Sequence, residues 1–356
     1  MRAEPEIPDG VGVLSFSIKH EFIVKVNIPE TLGSQALGLS YVQNMRSVHE
    51  RIIEYLRRFG VRTNDYRAYN GDLAAWTVEK GVDIKIHEVS DPDHGSDDWG
   101  FFEVRLGTPV YPYFRPFFFE IDRVLTLMKD GYVTILNSSC SLTVHVGRLE
   151  GLYPERYESF GFSIGVVQTV LEFVWKFEAQ INALHPQHRI WGNPYCITPS
   201  RLLDHMDSRT ISRAIWRCKN MAELYDLWEG KLNVQQAFRS APIYGIRGLT
   251  NFGDRGISNG TMRFSQHQGT LDFEEVKNWV WFIGCLVQLS LDRGCCGIPL
   301  NILGFAERQV KLDELSAREF IRRVGMNDQY KYYKQRLAAE EELLGPCFEP
   351  GKPEGT

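Results

Sequence analysis

Residues 11–28, VGVLSFSIKHEFIVKVNI, place Leu14, Phe16, Ile18, Phe22, Val24 and Val26 on one side and Ser15, Ser17, Lys19 and Glu21 on the other. A period of two belongs to an extended strand, in which successive side chains leave on opposite faces. One face of this strand has to be buried while the other stays polar. A slip of one residue would turn the whole apolar set into water, so the segment fixes the register of any sheet it joins.

The half-polar pattern returns along the chain. GFFEVRLG (100–107) carries Glu103 and Arg105 on its polar face, CSLTVHVG (140–147) carries Thr143 and His145, and the strand near 260–267 carries Arg263, Ser265 and His267. AWTVEKGVDIKIHE (75–88) reads as a hairpin turning near Lys80–Gly81, with Asp83, Lys85 and His87 on one side of its second strand. Further strands are expected near 132–136 and 242–252, and helices over 34–60, 114–130, 162–184, 201–228, 272–294 and 312–343. Half-polar strands suit an antiparallel or mixed sheet with helices on one face and the other face open. The expected fold is therefore α+β, a curved and mainly antiparallel sheet covered by helices on one face. A doubly wound parallel sheet would need strands apolar on both faces, and neither G-x-G-x-x-G nor G-x-x-x-x-G-K-[ST] occurs. One domain over 11–343 is expected, with 1–10 and 344–356 as disordered ends rich in Pro, Gly and charge.

Composition narrows the partners. With 24% charged residues, a net charge of −5 and a pI near 6.0, the chain has no global attraction for nucleic acid or an anionic membrane. No apolar run approaches the ~18 residues of a membrane span, and a cytoplasmic location is the default expectation. The seven cysteines form no C-x-x-C pair, so a zinc site or disulfide framework is not expected. The partner expected is a small anionic substrate or metabolite.

Alternation alone describes any solvated sheet face. Longer motifs add to it. HPQHRIWGNPYC (185–196) and QHQGTLD (266–272) closely resemble runs of the fungal branch of the amidoligase family, relatives of glutamine synthetase and glutamate–cysteine ligase. FSIKHEF (16–22) is similar to that family's F-G-x-E-x-E-F strand, WTVEKGVDIK (76–85) to its W-x-V-x-x-D-x-S segment, FFEVRLGTPV (101–110) to its stretch with E and S-P, and CSLTVHVG to its C-G-L-H-V-H-V-G. The resemblance spans about residues 14–290. It implies a glutamine synthetase-like catalytic-domain architecture and an ATP-dependent carboxylate–amine ligase, in which Mg²⁺ neutralises the phosphates and an arginine faces the phosphoryl group.

Aligned to that pattern, this chain departs at one subsite. Lys19 stands at the first Glu of E-x-E, Thr143 at the first His of H-x-H, and Arg263 and Ser265 at the Glu and Arg of E-F-R. Glu21, His145, Glu103 and Asp83 match. Bringing Mg²⁺ within ~4 Å of one such cation costs about 8 kcal/mol at an effective dielectric of ~20. The metal at that subsite is expected to be lost, leaving at most a single subsite at Glu21 and Glu103.

The residues expected to act on a substrate are Lys19, Glu21, Glu103, His145 and Arg263, and those expected to bind it are Asp83, Arg189, Asn193, Ser265 and His267. For Arg189 and Asn193 a second reading stands, as caps of the 162–184 helix. For His267 a shift of one residue in register would mean burial. Three functions compete. They are an altered enzyme holding anionic oxygens on Lys19 and Arg263, a one-metal ATP-dependent ligase, and a non-catalytic relative that binds an anionic metabolite or partner protein.

Overall fold

The computed structural model describes residues 13–28, 30, 40–65, 73–81, 84–91, 98–113, 116–150, 158–190, 196–203, 206, 208–230, 243–249, 260–294, 316–323 and 327–344. The expected disordered ends 1–10 and 344–356 lie outside these residues except for Leu344, which is the last residue of a helix, and Asp83 and Asn193 also lie outside them.

Strands β1 (Val13–Asn27), β2 (Thr77–Glu79), β3 (Trp99–Gly107), β4 (Tyr111–Pro112), β5 (Val133–Ile135), β6 (Leu142–Glu150), β7 (Glu158–Phe160), β8 (Tyr244–Gly245) and β9 (Met262–Phe264) form one sheet. Its central order is β2-β3-β1-β6-β9-β8, and every pairing is antiparallel. The helices, in chain order, are α1 (Tyr41–Arg58), α2 (Pro116–Gly131), α3 (Ile164–Lys176), α4 (Glu178–Asn182), α5 (Pro199–Leu202), α6 (Ser208–Arg217), α7 (Met221–Trp228), α8 (Phe273–Gly294), α9 (Ala317–Arg323) and α10 (Asn327–Leu344). The architecture is α+β with an open antiparallel sheet.

β1 joins the two halves of that sheet. β3 and β4 pair along one of its edges, β6 and β5 along the other. Its even-numbered residues, with Phe102, Val104 and Leu106 of β3 and Leu142, Val144 and Val146 of β6, enter one buried cluster. The helices contribute to that cluster at helical spacing: Met45, Val48, Ile52 and Leu56 from α1, Ile121, Val124 and Met128 from α2, and Val276, Trp279, Ile283 and Leu286 from α8. Residue 20 breaks the apolar run. His20 is buried on the helix-covered face, with Nδ1 3.4 Å from the Thr270 carbonyl oxygen.

Local chemistry sets the element ends. Ser40 and Gln43 form a reciprocal capping box at the start of α1. Asp272 Oδ1 accepts from the amides of Glu274 and Glu275 at the start of α8. The expected 162–184 helix breaks at Phe177, and the 201–228 helix divides into three, with Asn220 capping the last.

The expected hairpin at 75–88 does not form. β2 is there, but Ile86–Glu88 is a 3₁₀ turn. Ile84 and Val89 instead pack with Ile23, Phe101 and Cys140 in a second small apolar cluster. The Lys85 amide donates to Ser139 Oγ at 2.8 Å and its carbonyl accepts from Asn137 Nδ2 at 2.9 Å, so the 137–139 turn takes the bonds a second strand would have used.

Adjacent β1 positions should respond to mutation in opposite ways. Ile18→Ala, at a fully buried site, should cost about 2–5 kcal/mol in urea unfolding with an unchanged m-value. Ser17→Ala, one residue earlier on the polar face, should stay within about 0.5 kcal/mol.

Candidate functional site

Directly opposed residues of an antiparallel pair share a face at ~5 Å. The observed register therefore arranges the polar side of the sheet in rows. Glu79, Arg105 and Glu21 form one row across β2, β3 and β1. Gly107, Lys19 and Thr143 form the next, across β3, β1 and β6. Ser17, His145, Arg263 and Gly245 form a third, across β1, β6, β9 and β8. Glu103 is opposite Ile23 on the same side. Lys19, Glu21, Glu103, His145 and Arg263 thus share one face, opposite the helices. Glycine at 245 has a reason, because a β-carbon there would come 3.0 Å from Arg263 Nε and 3.1 Å from its Nη2. The guanidinium lies across the β8 backbone.

Most charges on this face are already engaged. Glu21 is buried, and its Oε1 accepts from Arg105 Nη2 at 2.6 Å and Nε at 3.1 Å, while Oε2 accepts from Ser141 Oγ at 2.5 Å. Glu103 accepts from the Tyr41 hydroxyl and lies 3.9 Å from Lys80 Nζ. Burial, then the Glu103 hydrogen bond and charge, push the Tyr41 hydroxyl above its ordinary value. Buried Glu229, after α7, accepts from the amides of Ile246 and Arg247. Burial raises its carboxyl, and Arg263 acts first among the influences in the other direction.

Lys19 differs from these. Among the described residues its ammonium has no hydrogen-bond or ion-pair partner. Burial lowers its proton affinity and Arg105 adds to that, Glu79 and Glu21 oppose it, and Arg263 lowers it further. Burial also holds His145 well below the ordinary imidazole range, helped by Lys19, Arg263 and Arg105, so its ring is neutral near pH 7.

The expected binding residues are distributed otherwise. Arg189 is buried, and it donates from Nε to the Gln266 carbonyl at 3.1 Å and from Nη2 to the Ser265 carbonyl at 2.7 Å. It therefore serves the backbone just past β9. Ser265 binds there through its own backbone too, its amide donating to the Ile243 carbonyl at 2.8 Å. His267 leaves the polar face altogether. β9 ends at Phe264, and the His267 ring is buried against His185 and Trp279, with centroids 5.4 and 5.6 Å away. This corrects the expectation that His267 lies on the strand face beside Arg263. Arg105, Glu79, Ser141, Tyr41 and Glu229 are not among the expected site residues. Arg105 was visible in the E-x-R alternation of β3; the others depend on contacts across the fold.

Glu21 and Glu103 do not fit a divalent cation as a pair. One carboxylate is clasped by a guanidinium and a hydroxyl, the other by a phenol, so a metal would have to displace a direct ion pair. Among the described residues, no group of three or more His, Cys, Asp or Glu side chains is arranged to hold a metal ion. Among those residues also, no helix is long and apolar enough to cross a membrane.

No family model, curated protein or solved structure matches the chain.

Two measurements follow from the buried side chains. Arg189→Met should lower stability by about 2–4 kcal/mol in urea unfolding, since a buried and a half-buried carbonyl lose their donors. Burial, partly offset by carbonyl contacts, depresses His20 to about 4 and His267 to about 3. The unfolded chain binds those protons from about pH 6.5 downward and the folded chain does not, so stability should fall as pH drops from about 6.5 toward 4. Urea midpoints at pH 7.5 and 5.0 check this, and His267→Gln should show the smaller drop between them.

Proposed function

We propose that the chain is an amidoligase-type protein whose polar sheet face binds a small carboxylate, without the metal-assisted phosphorylation of that family's pattern. The observation that carries the reading is Lys19, a largely desolvated amine at the centre of the face that has no partner among the described residues. Arg105 and Arg263 sit on either side of it, their charges partly balanced by Glu21 and Glu229. A carboxylate placed against Lys19 would supply the missing counter-charge. It would also recover part of the burial penalty of an unpaired cation.

The resemblance in HPQHRIWGNPYC and QHQGTLD supports the family, and the substitutions at Lys19, Thr143, Arg263 and Ser265 support a rebuilt site. The one-metal ATP-dependent ligase is the less favoured reading, because the carboxylates it needs already bind protein donors. In this reading ATP and Mg²⁺ have no assigned role, and the carboxylate is held by charge alone.

Lys19→Met separates binding from structure. In plain buffer it should leave the melting temperature unchanged or raise it, and it should abolish the rise that millimolar succinate or glutamate gives to wild type. A drop of several degrees in Lys19→Met, with no effect of carboxylates on wild type, would assign the charge to structure and remove the reading. Calorimetric titration with ATP, with and without Mg²⁺, should show no Mg²⁺-dependent binding. Micromolar Mg–ATP affinity with turnover would restore the ligase.

A further inference from the structure

Helix α6 turns Ile211 and Ile215 into the core, and Thr210, Arg213, Ala214 and Arg217 follow one another at helical spacing along its outer side. With Cys218 and Glu223 these four residues line a groove of about 320 Å³. Small-molecule sites run from roughly 300 to 1,000 Å³, so the groove suits a small ligand. Arg213 and Arg217 are exposed, and among the described residues neither has a hydrogen-bond or ion-pair partner. Like charges one turn apart repel each other. The carboxylate in the lining does not relieve them. Glu223 Oε2 accepts from the Lys219 amide at 2.8 Å and Oε1 from Asn220 Nδ2 at 2.9 Å, so it caps the start of α7. Nor does the end of α6 employ them, because buried Gln168 donates from Nε2 to the carbonyls of Ile215 and Cys218 at 2.8 and 2.9 Å. Burial and Glu223 hold the Cys218 thiol up, which makes it a wall of the groove and not a nucleophile.

We propose that this groove binds the phosphoryl group of a small phosphate monoester, held by the guanidinium forks of Arg213 and Arg217 with Ala214 and Cys218 against its carbon body. A phosphate monoester carries a charge of about −1.5 to −2 near pH 7, which matches two unpaired guanidiniums. Planar forks also suit phosphoryl oxygens, to which they donate in pairs. The groove lies on α6 and α7, away from the polar sheet face, and its ligand does not depend on the carboxylate bound there. Free phosphate shares the phosphoryl chemistry, and affinity separates it from an ester.

Calorimetric titration of the full-length chain at pH 7.5 with glycerol 3-phosphate or phenyl phosphate should show one site with a Kd below about 1 mM, at least about threefold tighter than inorganic phosphate. Arg213→Lys and Arg217→Lys keep the charge and lose the fork, and each should weaken ester binding at least about fivefold. Arg213→Gln and Arg217→Gln together should abolish it with the melting temperature unchanged, since both side chains are exposed. Arg51→Gln, at an exposed arginine of α1, and Lys19→Met should bind the ester as wild type does. Equal affinity for inorganic phosphate would assign the groove to free phosphate and overturn the ester. No saturable binding of either ester, binding that survives the double variant, or equal weakening by Arg51→Gln would overturn the site. Loss of binding in Lys19→Met would do so too, by placing the anion on the sheet face.

Discussion

β1 is hydrogen-bonded along both edges, and its alternating side chains divide the molecule into an apolar half and a polar half. The two halves cannot be adjusted separately. The register that buries Ile18 and Phe22 under the helices is the register that sets Lys19 and Glu21 on the other side. Each buried aliphatic or aromatic side chain contributes about 1.5–3 kcal/mol, so a slipped β1 would forfeit many such terms at once. Hydrophobic burial, not electrostatics, is what holds a lysine at the middle of a polar face.

Once held there, the charges sort by partner. Glu21 and Arg105 satisfy each other at hydrogen-bond distance, and a buried pair of this kind is stable only because both members stay. Glu229, anchored on the amides of Ile246 and Arg247 just after β8, moderates Arg263. Lys19 is left with longer-range influences that largely oppose its charge. The same pairing that takes Glu21 away from metal coordination leaves Lys19 without a close carboxylate.

The strands with clear period-two patterns were legible in the sequence, because burial of one face leaves a direct mark at every second residue. β1, β3 and β6 lie close to the expected bounds. The 75–88 segment resembles a hairpin because Ile84 and Val89 signal burial without saying against what, and their partner cluster is drawn from β1, β3 and Cys140. The 162–184 and 201–228 segments look continuous in sequence because apolar spacing persists across the observed helix breaks. Within the site, parity placed Lys19, Glu21, Glu103, His145 and Arg263 on one face. Parity failed for His267, which lies three residues beyond the end of β9, where alternation no longer governs direction. Arg189 was assigned by motif to two possible tasks, and its contacts with the Ser265 and Gln266 carbonyls are a third that no local pattern encodes.

The central position of β1 also has a cost in time. Its partners arrive late: Ile18 bonds to Thr108, 90 residues on, and His20 approaches Thr270, 250 residues on. Sheets built from such distant pairings fold slowly, because each long loop must close before its contacts contribute. At synthesis rates of ~5–20 residues per second, roughly 6–25 s separate the appearance of β1 from that of β6, which completes its second edge. Throughout that interval a 15-residue strand with one oily face waits for edges that have not yet been made. The feature that organises the finished protein is therefore also an unpaired strand with two open edges while the chain is being built.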